Sequence, residues 1–258
     1  MHLGLIGYGS IAQALIARLP KGQVTEVTVL VRTAAQASQP RIRFVTTRDA
    51  LLDAEPVLVV ECAGHGALHD HAEAILDNGT DLIAASVGAF ADDALLTRVR
   101  AAADRTGAQL ILPTGAIGGL DLLEVLAGDG PVEVRYTGTK PPAAWKGSAA
   151  EGMVALDALA DAVPFYRGTA RAAAADFPKN ANVVAALALA WGGFDRMMVD
   201  LIADPAATGN THSYRVTSPA CTYAMQIENA PSAGNAATSL TTVLSIRAEI
   251  MKRMAQWH

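Results

Sequence analysis

A glycine-rich turn at the start of the chain constrains its fold more than any other feature. The segment GYGSIA at residues 7–12 follows a short apolar run and opens a helical pattern of apolar residues. In such a unit Gly7 makes the tight strand-to-helix reversal, Gly9 lets the backbone approach a pyrophosphate, and Ala12 lets the helix pack closely on the strand. The helix N-terminus then offers N–H groups to the phosphates, so we predict dinucleotide contacts from Gly7, Gly9, Ser10 and Ile11.

The end of the next strand bears on which dinucleotide is bound. The apolar run at residues 27–31 ends in Arg32 and Thr33, where a carboxylate would hold the ribose hydroxyls of NAD. Arg32 can pair with a 2′-phosphate, so we expect NADP to be accepted, and NAD as well. The alternative is that Arg32 is a solvated charge at a strand end.

Short apolar runs alternate with helical patterns over the first 120 residues, which predicts an α/β fold with a Rossmann-type, doubly wound parallel sheet. The strand ends carry small or polar residues in three segments: ECAGH at 61–65, SVGAFAD at 86–92 and PTGAIGGLD at 113–121. The carboxyl ends of parallel strands form the ligand crevice of such a sheet. We therefore predict cofactor contacts from Cys62, Ala63 and His65. For His65 an equally good explanation is that the backbone conformation of the loop, and not a cofactor contact, accounts for its position.

The pattern changes after residue 131, where alternating segments predict half-exposed strands of a mixed or antiparallel sheet. An Ala-rich helix is expected near residues 181–191, and a helix from residue 236 is expected to pack on the first domain. These patterns predict a dinucleotide-binding domain at residues 1–120, an α+β domain for substrate and oligomerisation at 121–235, and a C-terminal helix at 236–258.

Composition narrows the class of protein. The chain has 258 residues, of which 51% are hydrophobic and 17% charged, and its formal net charge is −5. This acidic balance and the absence of a basic run argue against a nucleic-acid partner. The sequence also lacks an apolar run of about 20 residues, so it predicts no membrane span. Without a leader pattern, and with only Cys62 and Cys221, we expect a cytoplasmic protein with two reduced thiols and no metal site.

The histidines differ in setting. His69 and His71 are two apart on a predicted helix, point to different faces, and are expected to be solvated. His212 stands in the polar segment GNTHSY at 209–214, which we expect to be a loop leading into a strand. An imidazole that faces a cleft there suits proton transfer to an amine or a water, and the alternative is an exposed loop residue.

Two more segments combine rigidity with hydrogen-bond donors. Lys140 follows the first strand of the second domain, where its charge could attract a substrate carboxylate. Asn180 and Asn182 open the Ala-rich helix, where each is a candidate cap or ligand contact. Surface and capping roles explain these residues equally well, so pattern alone predicts a nicotinamide oxidoreductase of unassigned substrate.

Seven segments together resemble the L-aspartate dehydrogenase family, and the similarity extends over essentially the whole chain. Four of them are the turn at 7–12 and the three strand ends quoted above; the other three are TKPPAAWKG at 139–147, FPKNANV at 177–183 and GNTHSY at 209–214. Residues 231–239 depart from the family pattern, since they lack the proline and lysine associated with it there.

The resemblance implies oxidative deamination of L-aspartate to oxaloacetate and ammonia through iminoaspartate, with NAD or NADP as hydride acceptor. It places cofactor contacts at Ala116 and Asn182, the active histidine at His212, and it favours a homodimer. Lys140 and the backbone near Thr211 are our candidates for the substrate carboxylates.

Two alternatives remain open at this point. One is a related two-domain reductase acting on homoserine or a cyclic imine, which shares the glycine-rich turns but not the segments around His212 and Asn182. The other is a non-catalytic protein that senses NADP with the same fold.

Overall fold

The computed structural model of the protein describes residues 1–33, 39–178, 181–232 and 235–255. The chain forms two compact units, one made of Met1–Pro113 with Thr242–His258 and the other of Thr114–Thr241. The domain boundaries that the sequence predicts, at residues 120 and 235, remain predictions.

The first unit contains a six-stranded parallel sheet in the order β3-β2-β1-β4-β5-β6. Its strands are β1 (His2–Ile6), β2 (Glu26–Leu30), β3 (Ile42–Val45), β4 (Leu58–Glu61), β5 (Asp81–Ala84) and β6 (Leu110–Ile111). The intervening helices are α1 (Ser10–Ile16), α2 (Arg48–Leu52), α3 (His65–Asp77) and α4 (Asp93–Thr106). The strand order reverses direction beside β1, as in a doubly wound sheet, which confirms the predicted fold class.

Local chemistry accounts for these elements. The residues of β4 and β5 are all buried, as expected for strands covered on both faces. Helix α4 begins where the Asp92 carboxylate accepts hydrogen bonds from the N–H groups of Ala94 and Leu95. It ends at Gly107, whose φ of 77° is the left-handed cap conformation that glycine adopts without strain.

The second unit contains a five-stranded mixed sheet in the order β11-β10-β7-β9-β8, in which β7 and β9 run parallel and the other neighbouring pairs antiparallel. Its elements are α5 (Leu120–Asp129), β7 (Glu133–Lys140), β8 (Val163–Thr169), α6 (Ala170–Asp176), α7 (Ala181–Trp191), β9 (Met198–Ala203), β10 (Asn210–Thr217) and β11 (Thr222–Asn229). A short hairpin follows, made of β12 (Pro231–Ser232) and β13 (Asn235–Ser239). The sheet is the predicted mixed one.

One face of this sheet is buried and the other is more exposed. Along β10 the side chains of His212, Tyr214 and Val216 are buried, whereas Arg215 and Thr217 are exposed. Side chains of a strand alternate between faces, so the buried set of each strand lies on one side. This buried face carries the polar residues considered below.

The last helix, α8 (Leu240–Ala255), begins four residues later than the sequence predicts. The preceding residues pair as β13, and the hydroxyl of Ser239 accepts a hydrogen bond from the N–H of Thr241, as an N-terminal cap does. Beyond Thr241 the helix belongs to the first unit, and its apolar side chains join the core that contains Leu3 and Leu15. Among the described residues, no helix combines the length and apolar character needed to span a bilayer.

Candidate functional site

The glycine-rich turn of the first unit has the geometry of a dinucleotide cradle. Gly7 has a φ of 90°, and a Cβ there would lie 2.8 Å from the Cβ of Ala63. Gly9 is exposed at the start of α1, and a Cβ there would meet nothing within 4 Å. Gly7 is therefore required by conformation and space, whereas the open space at Gly9 leaves its backbone accessible to a ligand. Ala12 is fully buried, as close packing of α1 on the sheet requires.

The other predicted contacts in this turn follow from its position. Ser10 is exposed and Ile11 half-buried in the first turn of α1. The N–H of Gly7 donates to the carbonyl of Leu30 at 2.9 Å, which brings the turn next to the end of β2. Arg32 lies exposed just beyond that strand. An exposed cation beside the cradle fits a 2′-phosphate, and the residues present fit a dinucleotide.

A buried carboxylate, which the sequence analysis did not single out, shapes the loop after β4. Oε1 of Glu61 accepts hydrogen bonds from the N–H of Ala63 at 2.7 Å, the N–H of Gly64 at 2.8 Å and the hydroxyl of Ser86 at 2.9 Å. Oε2 accepts from the N–H of Ser86 at 3.0 Å. Burial raises the pKa of Glu61, and these four hydrogen bonds act in the opposite direction.

Glu61 thus ties together two of the segments predicted to line the crevice, the strand ends after β4 and β5. The exposed Ala63 lies within this loop, and His65 is half-buried as the first residue of α3. Cys62 is held by hydrogen bonds from its N–H and its thiol to the carbonyl of Ile6. Burial and the charge of Glu61 raise the pKa of the Cys62 thiol, so it is a neutral group rather than a nucleophile.

His212 lies within a strand of the second unit, and the expectation of a loop was wrong. The segment forms β10, because its backbone pairs with β7 on one side and β11 on the other. His212 is directly opposite Gly138 of β7 and Ile227 of β11, and its side chain is 5% exposed. Its environment therefore excludes the alternative of an exposed loop imidazole.

Two buried polar side chains accompany His212 on the same face. Residues 136, 138 and 140 of β7 alternate onto it, which places Tyr136, Gly138 and Lys140 in one row. The hydroxyl of Tyr136 is hydrogen-bonded to Nδ1 of His212 at 2.6 Å. Burial, and next the positive charge of Lys140, lower the pKa of His212 to about 3, so the imidazole is neutral at pH 7.

Lys140 is a buried cation rather than a surface group. It is 9% exposed, its Nζ lies 5.1 Å from the centre of the Trp145 ring, and burial lowers its pKa to about 8. An ammonium with a pKa near 8 still carries its charge at pH 7. Because a desolvated cation is stabilised by a bound anion, this position suits a substrate carboxylate.

The loop that contains Ala116 is anchored within the second unit through its carbonyl groups. Nδ2 of Asn229 donates to the carbonyl of Ala116 at 3.0 Å, the Tyr214 hydroxyl to that of Gly118 at 2.6 Å, and the Tyr223 hydroxyl to that of Gly119 at 3.3 Å. Asn229 accepts in turn from the hydroxyls of Ser239 and Thr241. Ala116 itself is buried, at 8% exposure, and the hydrogen bond from Asn229 fixes the position of its backbone carbonyl.

The remaining predicted residues lie apart from this row. Thr211 precedes His212 in β10, so its side chain lies on the opposite face of the sheet and only its backbone adjoins the imidazole. Asn182 is exposed in the first turn of α7, and Asn180 lies outside the described residues. His71 differs from the expectation of a solvated residue: it is half-buried, and its Nδ1 is buried without a hydrogen-bond partner.

Sequence reasoning missed Tyr136, Glu61 and Asn229. The two-residue period of β7 could have placed Tyr136 on the same face as Lys140, and a carboxylate ending an apolar strand before a glycine turn is a signal for Glu61. Nothing local in the sequence marks Asn229, because its partners are the carbonyl of Ala116 and the hydroxyls of Ser239, which ends β13, and Thr241.

Family profiles match both halves of the chain. Residues 121–253 match the profile described as aspartate dehydrogenase, C-terminal, and residues 7–113 match the one described as homoserine dehydrogenase, NAD binding domain. The second unit therefore carries the more specific signal, since a dinucleotide-binding domain is shared by many enzymes.

Whole-chain relatives agree with the C-terminal match. The chain is 40% identical to L-aspartate dehydrogenase 2 of Bordetella pertussis, over 99% of this chain and 98% of that protein. It is also 40% identical to L-aspartate dehydrogenase of Ruegeria pomeroyi, over 99% and 93%. Among solved structures, aspartate dehydrogenase from Thermotoga maritima aligns with a TM-score of 0.79 and 28% identity, covering 98% of this chain and 96% of that one.

Proposed function

We infer the function from family membership, because this chain belongs to the L-aspartate dehydrogenase family. Its reaction is the NAD(P)-dependent oxidative deamination of L-aspartate to oxaloacetate and ammonia through iminoaspartate. The bound nicotinamide supplies one function, the acceptance of a hydride from the substrate Cα. The observation that carries the proposal is the buried neutral imidazole of His212 beside the buried ammonium of Lys140, in the unit that matches the aspartate dehydrogenase profile.

His212 is the proposed acid and base for hydrolysis of the imine. As a water oxygen bonds to the carbon of the protonated imine, the π electrons of the C=N bond move to nitrogen, and the imidazole takes one proton of that water and then passes it to the substrate nitrogen. When the C–N bond breaks, its electrons go to nitrogen, and the O–H electron pair forms the new C=O. The released proton returns to the imidazole and leaves on ammonia as ammonium. A neutral imidazole suits the first of these steps, because it can accept a proton.

Lys140 is the proposed partner of a substrate carboxylate. Its ammonium is desolvated by burial, so a carboxylate that approaches it gains a charge-assisted contact. The first unit is the proposed holder of the dinucleotide, through the glycine-rich turn, the loop at Cys62, Ala63 and His65, and Arg32. Ala116 and Asn182 of the second unit remain proposed cofactor contacts.

One panel of substrates tests the assignment. The purified full chain is incubated with NADP⁺ or NAD⁺ and with L-aspartate, homoserine or L-glutamate, and reduced nicotinamide is followed by absorbance. Reduction with aspartate alone is expected. Reduction with homoserine would support the reductase alternative that shares the N-terminal profile, and cofactor binding without turnover would support a sensor.

The variant His212→Ala tests the proposed proton carrier. We expect kcat to fall by about 10²- to 10⁴-fold, the usual contribution of general acid–base catalysis, while the Kd of NADP⁺ stays unchanged. The control is His69→Ala on α3, whose side chain is 41% exposed and which should keep full activity. Equal kcat values for the two variants would refute the role of His212.

Oligomeric state and location complete the proposal. The family resemblance favours a homodimer, which light scattering coupled to size-exclusion chromatography measures directly. Cys62 and Cys221 are both free thiols, in keeping with a reducing cytoplasm.

A further inference from the structure

We propose that Tyr136 is a positioning residue that holds the imidazole of His212 through Nδ1 and so leaves Nε2 as the nitrogen that exchanges protons during imine hydrolysis. This inference rests on the proposed function. It adds a residue that the sequence motifs do not contain, since Tyr136 lies before the segment at 139–147 and outside the segment at 209–214.

The contact between Tyr136 and His212 is short and buried. The hydroxyl of Tyr136 and Nδ1 of His212 are 2.6 Å apart, and both side chains are buried, at 2% and 5% exposure. The two rings are nearly parallel, with centroids 6.0 Å apart and an angle of 26° between their planes. A short buried hydrogen bond combined with ring packing restricts rotation of the imidazole, because any other orientation would leave a buried hydroxyl unpaired.

The lack of a side chain at position 138 makes room for this contact. Tyr136 and His212 are not opposite each other in the sheet, since Tyr136 pairs with Tyr214 and His212 pairs with Gly138. The hydroxyl of Tyr136 therefore reaches His212 over position 138. A Cβ on Gly138 would lie 2.8 Å from that hydroxyl oxygen and 3.2 Å from Cε1 of the same ring. Any larger residue at 138 would displace the tyrosine, so glycine is required here for space.

The contact leaves one ring nitrogen of His212 for proton exchange. A neutral imidazole has one N–H and one lone pair, and proton exchange with water or substrate needs a ring nitrogen that is not already engaged. Nδ1 is engaged by Tyr136, which leaves Nε2. In the proposed arrangement Nδ1 carries the N–H and donates it to the Tyr136 hydroxyl oxygen, so this hydrogen bond persists when Nε2 gains a proton and the ring becomes an imidazolium.

A phenol affects the protonation of its imidazole partner differently from a carboxylate. A carboxylate at this position would stabilise the imidazolium and raise the pKa of the histidine. Burial raises the pKa of Tyr136 itself, so its hydroxyl stays neutral and adds no charge to the row. The nearby charge is that of Lys140, which favours the neutral imidazole. Tyr136 therefore orients the base without trapping it in its protonated form.

Two variants break this contact by different routes. Tyr136→Phe removes the hydroxyl and keeps the ring that packs on His212. Gly138→Ala keeps the hydroxyl but places a methyl group 2.8 Å from its oxygen, too close for the tyrosine to stay in place. The control is Tyr166→Phe on β8, which removes a phenol hydroxyl from the same unit. The ring of Tyr166 packs on Phe177 and not on His212. Thermal unfolding of all three variants identifies any loss of folding.

Rapid mixing of each enzyme with NADP⁺ and L-aspartate separates the steps. Hydride transfer precedes imine hydrolysis, so slowing only hydrolysis leaves a fast first turnover. For Tyr136→Phe and Gly138→Ala we expect kcat to fall by about 10- to 100-fold, because loss of the positioning contact removes only a part of the rate that acid–base catalysis contributes. The KM for NADP⁺ should stay unchanged. Reduced nicotinamide should appear in a burst equal to the concentration of active sites, followed by the slow steady state. Tyr166→Phe should match the wild type.

A second readout does not depend on turnover. In ¹⁵N-labelled wild-type protein, the two ring nitrogens of His212 should give well-separated shifts, one typical of N–H and one of a lone pair, because a single tautomer is held. In Tyr136→Phe the two shifts should move towards each other as both tautomers become populated.

The outcomes distinguish the two proposals. If the wild type reduces neither NADP⁺ nor NAD⁺ with aspartate, the proposed function fails, while the nitrogen shifts still test the contact. If the wild type is active and Tyr136→Phe keeps its kcat and its separated shifts, the role of Tyr136 is refuted. A lower kcat without a burst would refute it as well, because the lost step would then be hydride transfer or binding.

Discussion

Two glycines in one loop allow the need for space to be separated from the need for a left-handed backbone. Gly115 and Gly119 have φ values of 66° and 71°. A Cβ on Gly115 would meet nothing within 4 Å, whereas a Cβ on Gly119 would lie 2.5 Å from the hydroxyl oxygen of Tyr214 and 2.9 Å from Cε of Met225. We therefore expect Gly119→Ala to destabilise the second unit much more than Gly115→Ala.

The magnitudes follow from these contacts. Either alanine carries the strain of a left-handed conformation, about 1 to 2 kcal/mol. Gly119→Ala also displaces the Tyr214 hydroxyl from the carbonyl of Gly118, a hydrogen bond of 2.6 Å that contributes about 1 kcal/mol. Overpacking against Met225 adds about 1 to 3 kcal/mol. The expected loss is about 3 to 6 kcal/mol for Gly119→Ala, against about 1 to 2 kcal/mol for Gly115→Ala.

Urea unfolding of both variants and the wild type measures this difference. In a Trp257→Phe background, tryptophan fluorescence reports the second unit, since the two remaining tryptophans, Trp145 and Trp191, are both buried within it. The variants should differ in free energy of unfolding by at least about 2 kcal/mol. Equal losses would refute the reasoning, because backbone strain alone would then explain both positions.

Three further predictions concern buried charges. In Glu61→Gln, an amide N–H₂ group faces hydrogen-bond donors that the carboxylate now satisfies. The free energy of unfolding of the first unit should therefore fall by about 1 to 3 kcal/mol. Urea unfolding followed by circular dichroism measures this loss, and an unchanged midpoint would contradict the prediction. Arg253→Met removes the cation paired with the buried carboxylate of Asp81 and should cost about 2 to 4 kcal/mol in the same assay, and a loss below about 0.5 kcal/mol would argue against the pair. Lys140 has a pKa of about 8 when folded and 10.5 as its ordinary value, so the unfolded chain binds more protons between these pH values and stability should rise with pH there. The wild type should gain up to about 3 kcal/mol over this range relative to Lys140→Met, and parallel pH profiles would show that the amine is not desolvated.

The fold class was predictable because its signals are local. The turn at residues 7–12 and the alternation of apolar runs with helical patterns depend on short-range periodicity, and the structure has the expected parallel sheet and mixed sheet. The start of α8 was missed because a strand pairing and a serine cap move it to Leu240. A helical pattern alone does not reveal that its first residues have another partner.

The candidate site was predictable only in part. Motifs indicated His212, Lys140 and the glycine-rich loops, because each carries a chemical group or a conformational requirement that can be named from the sequence. They did not indicate that His212 lies in a strand, since a polar segment becomes a strand when neighbours on both sides supply its hydrogen bonds.

By itself, the sequence determined the class of fold, the dinucleotide cradle and the family, because these depend on residue type and spacing. Only the tertiary structure decided the state of the polar groups. Burial and the neighbouring ammonium make His212 neutral, a glycine two residues further along β7 lets Tyr136 reach it, and Glu61 gathers its four donors from two separate strand ends. Such effects arise from desolvation and from contacts between residues far apart in the chain, and no local pattern encodes them.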